Sequence, residues 1–92
     1  MSVATLTPAQ AATLRESTEV LLDRRGVRTR MMVLHLCADI VAIACDGVGD
    51  HPGRTARAAA ELILPDKVLR LDPVTVAELA VACERAARLP RV

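Results

Sequence analysis

Apolar residues recur along the chain at three- and four-residue spacing, the period of α-helices that bury one face. In the first such stretch Ala11, Leu14, Thr18 and Leu21 fall on one stripe, with Glu16, Glu19 and Asp23 opposite. Thr7-Pro8-Ala9-Gln10 marks its start with a hydroxyl N-cap, Pro at the first helical position and Gln three residues after the cap. Leu6 stands where a hydrophobic staple begins. Arg24 and Arg25 suit the negative C-terminal end of the helix dipole, and Gly26 suits a left-handed stop. These signals predict a helix over 8–25.

The second stretch has a different pattern. From Met31 to Cys45 it is apolar on nearly every side, which predicts a central core helix over 30–46, capped by Thr29 and ended by Gly47. At about 100° per residue, Arg28, His35, Asp39 and Asp46 share one narrow stripe, with Ala42 between the last two. Everything else on this helix is expected to be buried. A membrane span needs about 20 predominantly apolar residues, and this run is shorter and carries an interior Asp, so no membrane partner is expected.

Helix 3 is expected over 53–64, with Ala56, Ala59, Ala60 and Ile63 inside, Arg57 and Glu61 outside, and Pro65 as its stop. Asp66 to Leu71 reads as a connector, either one helical turn or an extended Lys67-Val68-Leu69-Arg70-Leu71; alternation alone does not choose. Asp72-Pro73 repeats the cap-plus-Pro signal and opens helix 4 over 73–88. Val76, Leu79, Ala80, Cys83 and Ala87 form its inner stripe, and Glu84 and Arg88 pair on the outside at four-residue spacing. Four helices with short connections and no strand pair predict an all-α fold, a small four-helix bundle-like domain spanning 1–92 around a central apolar helix 2.

Composition narrows the function. The chain has 92 residues, 52% hydrophobic and 25% charged, with a net charge of +1, so a folded domain is expected rather than a disordered tail. The near-neutral balance lacks the basic excess that draws proteins to phosphate backbones or anionic membranes. With no Phe, Trp or Tyr, base-stacking platforms and aromatic cages are excluded. The 3 Cys (Cys37, Cys45 and Cys83) are an odd number, and Met1 to Gln10 has no secretory pattern, so reduced thiols in a cytoplasmic protein are expected. Of the 12 Lys and Arg residues only Lys67 is Lys, Asn is absent and Ala is abundant, a bias that suggests a high-GC bacterial or phage genome.

Candidate chemistry is sparse. His35 and Asp39 are one helical turn apart, so the carboxylate can accept a bond from the imidazole; with Asp46 and His51 they resemble a list of metal ligands or an acid/base pair. A polar stripe that meets solvent or a partner explains the same residues with fewer assumptions. Asp46-Gly47-Val48-Gly49-Asp50-His51-Pro52-Gly53 fits neither a dinucleotide fingerprint nor a P-loop, and its acids would repel phosphate. It lacks the oxygen ligands of a Ca²⁺ loop as well. It reads as helix termination and a turn. The cysteines have no Cys-x-x-Cys spacing and read as small buried hydrophobes. No catalytic residue, metal site or cofactor is expected.

Thr75-Val76-Ala77-Glu78-Leu79-Ala80 is similar to the first helix of many helix-turn-helix domains, which would imply DNA binding. The tight turn that must follow is missing, because Val81 to Ala87 continues in helix-forming residues. One basic corner, Arg24, Arg25, Arg28 and Arg30, is placed to touch phosphates, or simply to cap helix 1 and solvate a turn. The expectation that follows is a non-enzymatic protein–protein interaction module, a homodimeric adaptor or regulator that binds itself and a further protein. Its interaction residues are expected to be Met31, Met32, His35, Asp39 and Asp46, with ordinary core filling as the competing role for the two Met. The alternative is a small helical DNA-binding transcriptional regulator using the Arg24–Arg30 corner.

Overall fold

A computed structural model describes residues 6–24, 30–47, 51–68 and 71–90. The helices are α1 (Pro8–Arg24), α2 (Arg30–Asp46), α3 (Pro52–Lys67) and α4 (Pro73–Arg88), and the described residues form no strand. Two of the four starts are built as the sequence signals. At α1 the capping box is reciprocal: the Gln10 amide N–H donates to Thr7 Oγ1 at 3.2 Å, and the Thr7 N–H donates to Gln10 Oε1 at 3.0 Å. At α4 the Thr75 N–H donates to Asp72 Oδ1 at 2.7 Å, and the Thr75 hydroxyl donates to Asp72 Oδ2 at 3.0 Å. The expected cap Thr29, the stop Gly26 and Arg25 lie outside the described residues.

Helix 3 differs from expectation at both ends. It begins at Pro52 and runs through Pro65 to Lys67, instead of stopping at Pro65. A helical Pro costs the bond from its missing N–H to the carbonyl four residues back, here that of Glu61. Pro65 and Glu61 are both exposed, so water can solvate that carbonyl, while the fully buried Leu64 next to Pro65 holds the turn against the core. The Val68 N–H then donates to Leu64 O at 2.8 Å, and the backbone turns extended. The expected connector 66–71 is therefore shorter than the sequence places it: Asp66 and Lys67 belong to α3, the Leu71 N–H donates to Val68 O at 3.4 Å, and residues 69–70 lie outside the described set.

Cross-helix contacts fix the topology. Gln10 meets Cys45 and Asp23 meets Arg30, so α1 and α2 are antiparallel. Arg57 meets Glu84, and Gly53 lies against Arg88, so α3 and α4 are antiparallel too. Cys37 lies against Cys83, and Cys45 reaches the Ala87 carbonyl, so α2 and α4 run the same way. The result is a small up-down-up-down bundle. Both α2 and α4 pack against all three other helices, whereas α1 and α3 do not meet among the described residues. Small buried residues from the middle to the end of α4, namely Ala80, Ala82, Cys83, Ala86 and Ala87, let it approach α2 across this short diagonal. The radius of gyration is 12.1 Å, the size a packed chain of this length has, about 12 Å.

The inner stripe of α1 is displaced slightly from expectation. Leu14 and Thr18 are buried, but the stripe continues through Gln10 and Leu22, while Ala11 and Leu21 are half-buried. Gln10 is a polar residue that full burial does not penalise, because its amide oxygen caps α1 and its amide nitrogen reaches Cys45 Sγ at 3.4 Å. On α3 the expected Ala56 and Ala60 are buried, joined by Leu64; on α4 all five expected inner residues are buried.

Candidate functional site

Helix α2 departs most from expectation. Its buried face carries Val33, Cys37, Ile40, Val41, Ala42 and Ala44. The rest is not enclosed: Met31 is 66% exposed, Met32 48% and Ile43 70%. Near-complete burial of α2 is thus corrected, and core filling is not the role of either Met. A four-helix packing covers only the sectors of α2 that face α1, α3 and α4. The apolar side chains turned away from those neighbours remain in water.

His35, Asp39 and Asp46 are exposed on the same outward face, where the sequence places them. None of the three forms a hydrogen bond or ion pair among the described residues, so the bond expected between His35 and Asp39 is not made. At about 100° per residue, Met32, Leu36 and Ile43 lie directly beside them. The outward face is therefore one surface of three apolar and three polar side chains along four turns. Arg28, the fourth member of the expected stripe, lies outside the described residues. Ala42 is buried, placing it at the margin of this face rather than within it.

Around the corner from this face, Met31 lines a groove of about 460 Å³ between α1 and α2, with Val20, Leu22 and Leu34 among its walls and Thr18 at its floor. The Thr18 hydroxyl is buried there without a hydrogen-bond partner among the described residues. Arg30, at the groove's end, is ion-paired with Asp23. Of the basic corner considered for DNA, Arg25 and Arg28 and the side chain of Arg24 lie outside the described residues, and Arg30 already has a carboxylate partner. The described residues of α4 continue as helix past Ala80 without the turn of a helix-turn-helix.

The thiols have separate environments. Cys37 and Cys83 are fully buried, and the Cys83 thiol is pushed far above the ordinary thiol range by its hydrogen bond with Cys37 and by burial. Cys83 is thus held neutral, the opposite of an activated nucleophile. Cys45 is half-buried between Gln10 and the Ala87 carbonyl. No three His, Cys, Asp or Glu side chains converge in a metal-binding arrangement among the described residues. On the opposite side of the bundle, Glu84 ties Arg57 (3.2 Å) and Arg88 (2.7 Å) together, and Arg57 also reaches Glu61 at 3.3 Å. Glu61 and then Glu84 raise the Arg57 pKa above its ordinary value, so this cluster is a structural clasp between α3 and α4.

No protein-family model, curated protein or solved structure matches the chain. No helix among the described residues is long and apolar enough to cross a membrane. The exposed face of α2 is the feature on which a functional reading can rest. Its apolar half could not be told from core by sequence, because Ile43 and the buried Ile40 are chemically alike and only the placement of the other helices separates them.

Proposed function

We propose that this protein is a non-enzymatic protein–protein interaction module that works as a homodimer, as an adaptor or regulator in the cytoplasm. The observation that carries the reading is the exposure of Met32 and Ile43, with half-buried Leu36 between them, on one face of a helix whose other face forms part of the core, and of Met31 in the adjoining groove. Scattered surface apolar residues are normal, but a contiguous set on one helix face marks a contact surface. Methionine suits such a surface because its flexible, polarizable side chain adapts to a partner. The arrangement of polar groups favours contact over catalysis. His35, Asp39 and Asp46 sit on an open convex helix face, where no cleft excludes water or brings a third group to bear.

Light scattering of the purified chain from about 1 to 500 µM, a range bracketing micromolar self-association, tests this reading. A mass that rises from one chain towards two supports it. A strict monomer throughout that range contradicts the homodimer.

A further inference from the structure

The outward face of α2 has a spacing that determines how a second copy can meet it. Met32, Leu36, Asp39, Ile43 and Asp46 follow one another at intervals of four, three, four and three residues. That is the seam of a helix pair, which repeats every 3.5 residues. Here Met32, Asp39, Ile43 and Asp46 are turned to solvent and Leu36 is half-buried against the core, with exposed His35 beside the middle of the seam. We propose that two copies of the chain pair α2 against α2 in antiparallel register, with the two-fold axis between Cys37 and Ala38. Met32 then lies against the partner's Ile43, and Asp39 lies beside the partner's Leu36 and within reach of the partner's His35. The inference rests on the homodimer reading and gives it a surface and a register.

Charge complementarity selects this arrangement. A two-fold contact brings each patch against itself. A parallel pairing would set Asp39 on Asp39, Asp46 on Asp46 and His35 on His35, stacking like charges along the whole seam. The antiparallel register instead sets each Asp39 beside an imidazole. It also carries Asp46 to the N-terminal end of the partner's α2, where the helix dipole favours an anion. Because His35 and Asp39 have no hydrogen-bond or ion-pair partner among the described residues, no such bond has to be broken to form the pair. A polar residue within an otherwise apolar seam fixes register and orientation at some cost in affinity. The seam from residue 32 to 46 is about 21 Å long at 1.5 Å per residue, on the small side for a specific interface, so the dissociation constant should be on the order of micromolar.

Cysteine cross-linking in the full chain reads the register directly. Met32→Cys and Ile43→Cys are made separately with Cys45→Ala, which removes the half-buried native thiol; Cys37 and Cys83 are fully buried. Mild oxidation of an equimolar mixture should give covalent dimers joining one protein of each kind. Met32→Cys alone should not cross-link efficiently, because its own copy lies about 16 Å away along the seam in this register. Circular dichroism confirms that each variant is folded, and both substitutions lie at exposed positions. Rapid cross-linking of Met32→Cys alone would overturn the antiparallel register. A dimeric mass with no cross-link in the mixture would overturn this surface and leave the homodimer reading standing. A monomeric mass for the wild type would overturn both. His35→Asp should weaken the dimer several-fold, and His35→Asp combined with Asp39→His should restore it; failure to restore would refute the His35–Asp39 contact.

Discussion

Asp72 holds the first turn of α4 with both carboxylate oxygens, and its partner Thr75 is buried. Asp72→Ala should therefore cost about 1–2 kcal/mol, and Thr7→Ala about 0.5–1 kcal/mol, because the α1 cap has longer bonds and an uncharged acceptor. At about 4–8 °C per kcal/mol for a domain of this size, thermal melts should rank the two variants in that order. Both caps were legible, since a hydroxyl or carboxylate before Pro is a local signal. The meeting of Cys37 with Cys83 was not, because residues so far apart in sequence are joined only by how α2 and α4 pack. That contact has a pH consequence. The folded Cys83 pKa lies above the unfolded one, so its contribution to stability is complete below about pH 8.5 and is lost as pH rises above it. The melting temperature should begin to fall near about pH 8.5 and go on falling as pH rises further, and Cys83→Ala should flatten that fall. A native-state thiol titration should find Cys83 unreactive until the chain unfolds.

At the scale of elements, all four helices were readable from period and caps, and the ends of α2 and α4 fall where the sequence places them. The error was at Pro65. A proline is a reliable stop when the lost bond would be buried, and a tolerable one when the orphaned carbonyl faces water, as that of Glu61 can. Pro65→Ala should restore the missing bond and extend no boundary, raising stability by about 1 kcal/mol, less than the full cost of a mid-helix Pro because α3 ends two residues later. Urea denaturation reads the change as a higher midpoint with an unchanged slope. A lower midpoint would mean that the rigid ring is worth more through the unfolded state than the bond it removes. The outward face of α2 was half legible. His35, Asp39 and Asp46 declared themselves by polarity, and Met31 and Met32 were candidates. Ile43 looked like core because nothing in its own residue type records that the neighbouring helices leave it uncovered.

For the whole molecule, Ala-rich stripes on α3 and α4 allow close helix approach, so that α2 meets all three other helices. The far side of α2 stays uncovered because those three neighbours pack on its other sectors. Charge at this scale argues against duplex DNA, since the net charge is +1 and Arg30 is already paired with Asp23. Neutralising Arg24, Arg25, Arg28 and Arg30 together should leave the fold intact and change no measurable duplex affinity. An affinity that falls steeply with salt and disappears in that variant would favour the DNA-binding alternative.

The most direct test of the account compares the solution mass of wild type and Ile43→Asp by sedimentation equilibrium over the same concentrations. Ile43 is 70% exposed in the single chain, so the change should leave the helical content and melting temperature of the monomer nearly untouched. If α2 is the contact face, wild type should move from one chain to two over a micromolar range, and Ile43→Asp should weaken that association at least about tenfold, the effect of an unpaired charge buried within a small interface. A wild-type monomer at every concentration, or a dimer indifferent to Ile43→Asp, would contradict it.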